Sequence, residues 1–137
     1  MPAKLSHHEA LIYVMVTMSA VDRAMSDDEL QRIGNVVSQL PVFRDFDDDD
    51  LVPAAERCGE VLSGDNGLTA VLDLVSAALP SQLRETAYAL AVEVAASDLA
   101  VGKEELRFLA ILRDTLGLDK LVTAAIERSA IARYQSE

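Results

Sequence analysis

The chain is expected to be all-α: about seven helices in a compact bundle built from two related helical-hairpin halves. Three observations predict this. Apolar residues recur at helical and not alternating spacing. Caps and breakers fall where those stripes begin and end. A segment near the N-terminus matches another 76 residues later without a gap.

The stripes come first. Leu30, Ile33, Val36 or Val37 and Leu40 form one line, and Leu68, Val71, Leu72, Val75 and Leu79 another. Leu83, Ala87, Leu90 and Val94 form a third, Leu106, Leu109, Leu112 and Leu116 a fourth, and Leu118, Leu121, Val122, Ala125 and Ile126 a fifth. Ser26 with Glu29 reads as a capping box. Pro41 stops the helix before it, Pro53 suits a first helical turn, and Gly64 to Gly67 form a break around Asp65-Asn66. Pro80 suits a helix start, Gly102 precedes another, and Gly117 reads as a glycine just past a helix end. The expected helices are 6–21, 27–39, 49–62, 66–79, 81–97, 103–116 and 119–134. Short connections predict antiparallel neighbours, and 41–50 is the one loop long enough to be irregular. No linker interrupts the chain, so residues 1–137 read as one domain.

Composition narrows the function classes. Half of the 137 residues are hydrophobic, enough for a real core at this length. Twelve Lys and Arg against 23 Asp and Glu leave a net charge of −11. That balance argues against a nucleic-acid binder, which needs a basic footprint, and against an anionic membrane surface. It fits a cation or a basic patch on another protein, and it also fits solubility alone. The apolar run Leu11–Val21 is too short to span a bilayer. With no signal-peptide pattern and one cysteine, the expected location is the cytoplasm. Cys58 lies on the apolar line Leu51, Ala55, Cys58, Leu62 and reads as a buried thiol.

In the repeat, residues 15–40 align with 91–116. Val16 matches Val92, Ala20 Ala96, Asp22 Asp98, Ala24 Ala100, Glu29 Glu105, Leu30 Leu106 and Leu40 Leu116. Each copy is a helix ending in Asp, a short turn, and a helix that opens with acids. The first copy has Asp22 and then Asp27-Asp28-Glu29, and the second has Asp98 and then Glu104-Glu105. Two such hairpins are expected to pack about a pseudo-twofold axis.

Ser19-Ala20-Val21-Asp22 followed by Ser26-x-x-Glu29-Leu30, and Ala95-Ala96-Ser97-Asp98 followed by Gly102-x-x-Glu105-Leu106, resemble the tellurite-resistance TerB-like family over most of the chain. The resemblance implies an all-helical fold, a bacterial stress role linked to tellurite resistance, and an acidic surface proposed to bind metal cations. One departure concerns the turns. The family often has Gly directly after the motif Asp, where this chain has Arg23 and Leu99.

The candidate metal ligands are Asp22, Asp28, Glu29, Asp98, Glu104 and Glu105. Calcium and magnesium take six or more oxygens, so one turn is too few and two turns brought together would suffice. Capping is the competing explanation. First-turn acids are stabilised by free N–H groups and the helix dipole, which accounts for Asp27, Asp28, Glu29, Glu104 and Glu105 without a ligand. Asp22 and Asp98 sit near helix C-termini, where negative charge is unfavourable, although either can form an Asx turn.

The spacing is not that of an EF-hand, and His7 and His8 are adjacent and cannot share a helix face. Asp45 and Asp47–Asp50 read as a solvated helix entry, with a second cation or partner patch as the alternative. No nucleophile elbow, P-loop or zinc-protease motif occurs, so an enzyme is not expected. The leading expectation is a binding module that holds a divalent cation (calcium, magnesium or another) or docks a protein partner in a stress-response assembly. A structural interaction domain without metal is the alternative, and a carboxylate-based hydrolase is third.

Overall fold

The computed structural model describes residues 5–21, 25–97 and 102–135. Seven α-helices and no strand occur among them: α1 (His7–Ala20), α2 (Asp27–Gln39), α3 (Leu51–Leu62), α4 (Gly67–Ala78), α5 (Arg84–Ser97), α6 (Lys103–Leu116) and α7 (Lys120–Arg133). All seven coincide with the stripes and breakers above to within three residues.

The helix starts have local causes. At α1, Ser6 Oγ accepts the Glu9 N–H at 3.0 Å and Glu9 Oε1 accepts the Ser6 N–H at 3.0 Å. Ser26 and Glu29 repeat this box at α2, at 3.2 and 2.9 Å. The 41–50 connection is more ordered than its composition predicts, because it holds two 3-10 turns, Pro41–Phe43 and Asp48–Asp50. Asp47 caps the second turn by accepting the Asp49 N–H at 2.9 Å. Gly117, at φ +66°, turns the chain between α6 and α7.

Helix α1 is the hub. Every residue from Ala10 to Ser19 is buried, and the helix packs against α2, α3, α4 and α5. A helix apolar all round needs neighbours on every side. Each fully buried Leu, Ile or Met is stabilised by about 1.5–3 kcal/mol relative to exposure, so α1 organises the core. Helix α5 is the second buried helix and packs against α1, α6 and α7. At its start Arg84 donates to the carbonyls of Leu116 and Ser76, both at 3.1 Å. It thus ties the ends of α6 and α4 with a cation where helix dipoles favour one.

Two stripes depart from expectation at particular residues. On α6 the inward line is Glu105, Phe108, Leu109, Leu112 and Leu116, whereas Leu106 is 58% exposed. On α7 the buried residues are Thr123 and Ala130, whereas Leu121 is 80% exposed. On α6 the expected Leu109, Leu112 and Leu116 do face the core, with Glu105 and Phe108 in place of Leu106, and of the expected α7 stripe only the flanks, Leu118 and Ile126, pack against it.

Candidate functional site

The site begins with the two acidic helix starts. On α2, Asp28 is exposed, and Glu29 spends Oε1 on its own helix cap. On α6, Glu104 is exposed, and Glu105 Oε2 accepts the Gly102 N–H at 2.7 Å. The capping explanation therefore holds for Glu29 and for one oxygen of Glu105. Asp22 and Asp98 lie outside the described residues. Among the described residues no group of three or more His, Cys, Asp or Glu side chains is placed to hold a metal.

Glu105 differs from its repeat partner Glu29. It is only 6% exposed, and its Oε1 is buried without a hydrogen-bond donor among the described residues. Water-excluded carboxylate oxygens are normally supplied with donors or cations, because an unsatisfied one costs free energy. The Glu104 carboxylate lies close by. A methyl group built on Gly102 would meet Glu105 Oε1 at 3.3 Å and Glu104 Oε2 at 3.7 Å. Two carboxylates thus converge beside the N-terminus of α6.

A cavity of about 680 Å³ opens next to this helix start. Val16, Thr17, Ala20 and Val21 of the first motif, with Met25, line one side, and Glu104, Arg107, Phe108 and Ile111 of the second line another. Ala55, Gly59, Leu62, Ser63 and Leu68 complete it. The residues flanking the first motif turn and the first turn of α6 therefore share one rim. The Glu29 end of α2 faces a second, smaller cavity, shared with Glu93 and Val94 of α5.

The other chemistry-bearing residues have structural roles. Cys58 is fully buried, donates to the Tyr13 carbonyl at 3.7 Å and lies 3.6 Å from Thr17 Oγ1. Burial raises its thiol to about 11, so it is not an activated nucleophile. His8 Nε2 donates to the Val42 carbonyl at 2.8 Å, and its ring packs on Phe43 and Phe46. His8 thereby fastens the 41–50 connection to α1, as no sequence signal indicated. His7 is exposed, and burial followed by neighbouring His8 lowers its pKa. Glu9 is held below the usual carboxylate range, first by the Ser6 N–H and further by Arg57 at 2.7 Å, against an opposing effect of burial.

The fold and the paired acidic helix starts define an acidic, all-helical domain with no helix among the described residues long and apolar enough to cross a membrane. A family model described as "Tellurite resistance protein TerB" matches residues 8–128, and the chain belongs to that family. It is thus a tellurite-resistance-related domain. Comparison with curated proteins and with solved structures gave no match.

Proposed function

We propose that the chain is a non-catalytic binding module whose cation site is centred on the N-terminus of α6. The observation that carries this reading is the buried, donor-free Oε1 of Glu105 beside the Glu104 carboxylate. A divalent cation there supplies the missing partner and relieves the repulsion between the two carboxylates. Asp98, from the same motif, and Asp22, which follows the cavity-lining Val21 in the chain, are the remaining protein ligands. Water completes the shell of a hard cation. Asp28 and Glu29 are left to stabilise the start of α2, and the two halves are related by a pseudo-twofold axis.

Isothermal titration with calcium, magnesium, manganese and zinc tests this, with wild type set against an Asp22→Asn/Asp98→Asn double variant. The expected result is that at least one ion binds wild type and binds the variant at least about tenfold more weakly, since loss of even an outer-shell partner of a metal site costs about that much. An absence of binding by all four ions, or equal binding by the variant, overturns it.

A second reading rests on a different observation, the roughly 680 Å³ cavity lined largely by apolar side chains. An open apolar groove suits a protein partner in a stress-response assembly. A domain that docks such a partner needs no ion.

A further inference from the structure

The smaller cavity, about 250 Å³, lies between the end of α1, the middle of α2, α5 and the end of α7. That is room for about eight water molecules at liquid density, the scale of an amino acid. Its walls are chemically mixed. Ile33, Val36 and Val94 supply apolar surface, and Ser19, Glu29, Arg32, Asn35, Glu93 and Tyr134 supply polar groups.

Most of the charge on the α5 and α7 side is already matched. Glu93 accepts from Arg133 at 2.5 Å and also from the Tyr134 hydroxyl. This arrangement fastens the end of α7 to α5 and fixes one wall. The α1 and α2 side is different. Arg32 and Asn35 are exposed and make no side-chain hydrogen bond or ion pair among the described residues, although the Arg32 charge acts on the nearby Tyr134 hydroxyl. Glu29 has one oxygen on its helix cap and the other without a donor among the described residues. Ser19 is only 5% exposed, and its hydroxyl has no hydrogen-bond partner among the described residues. Buried hydroxyls are normally satisfied, so this one marks a place where a polar atom of a ligand belongs.

We propose that this cavity binds a small zwitterion, an α-amino acid with a short aliphatic side chain. Its carboxylate pairs with Arg32 and the Asn35 amide, its ammonium group faces the free oxygen of Glu29, its side chain lies on Ile33, Val36 and Val94, and the Ser19 hydroxyl meets its polar end. A simple anion is opposed by Glu29, Glu93 and the net charge of −11. A simple cation is opposed by Arg32. A molecule carrying both charges a few ångströms apart matches both, and a planar guanidinium is suited to a carboxylate. The site needs no divalent cation, so it stands or falls separately from the reading above.

The test is saturation-transfer NMR followed by calorimetry in chelating buffer, using the twenty L-amino acids singly, with acetate and methylammonium as one-charge controls. Wild type is expected to bind one or more short aliphatic members and neither control. Arg32→Ala, an exposed position, should weaken that binding at least tenfold while leaving the circular dichroism unchanged. Ser19→Ala should weaken it less. The proposal is overturned if no amino acid binds wild type, if either control binds as well as the amino acids, or if Arg32→Ala binds like wild type.

Discussion

Glu105→Gln separates a cation site from a helix cap. Gln keeps the length and shape of the side chain and can still accept the Gly102 N–H, since Gln serves at this position of a capping box. What it removes is a negative charge that is 6% exposed and has one oxygen without a donor among the described residues. An unsatisfied buried group costs about 1–3 kcal/mol, and more when charged. Against this stands the loss of a carboxylate at a helix N-terminus, about 0.3–1 kcal/mol. In chelating buffer the variant should therefore exceed wild type by about 1 kcal/mol, a rise in melting temperature of about 3 °C for a domain of this size. Addition of the bound ion at a hundred times its dissociation constant stabilises wild type by about 2.7 kcal/mol. The variant lacks that gain, and the order reverses. Thermal unfolding followed by circular dichroism, with chelator and then with each ion, reads both halves. A variant less stable than wild type in chelator would mean that the carboxylate is fully satisfied by its cap, and the argument from the buried oxygen would fail.

Two glycines should respond oppositely to alanine. A Cβ on Gly67 would lie 2.2 Å from the Leu62 carbonyl oxygen and 2.7 Å from its Cα, whereas one on Gly59 meets nothing within 4 Å. Gly67→Ala should cost about 3 kcal/mol, the upper range for overpacking, and Gly59→Ala should gain about 0.5–1 kcal/mol from helix propensity; urea unfolding compares them, and equal effects would contradict the packing of α4 on α3. The acid limb of stability should depend on Glu9. Its carboxyl is held below its ordinary 4.5, so the unfolded chain takes up that proton first. The contribution is present above pH 4.5 and is lost as pH falls through the lower folded value. Melting temperatures of wild type and Glu9→Gln should converge between pH 6 and pH 3, and a constant gap would contradict the linkage.

Helix existence and order were legible because each helix carries its own start and stop. Ser26 with Glu29 caps α2 with side chains three residues apart, and Gly117 takes the positive φ that ends α6. These are local devices, and local chemistry is written in local sequence. The two acidic helix starts were legible for the same reason, through the 76-residue repeat. The facing of a helix was less legible wherever its apolar residues fit two phases. Leu106 and Leu121 lie on stripes that the period allows, yet both are exposed, because α4 and α5 pack on other sides of α6, and α5 on another side of α7.

Tertiary structure alone distinguished two glutamates that the repeat makes equivalent. Both Glu29 and Glu105 cap their helices, as sequence dictates. Only packing buries Glu105 and leaves its second oxygen without a donor. Likewise, nothing in the chain announces that Val21, Met25 and Glu104 share a rim, or that Ser19 and Tyr134 line one cavity. Helical periodicity and capping act over one turn, whereas a site depends on which helices lie side by side, and that is set by how the whole core packs.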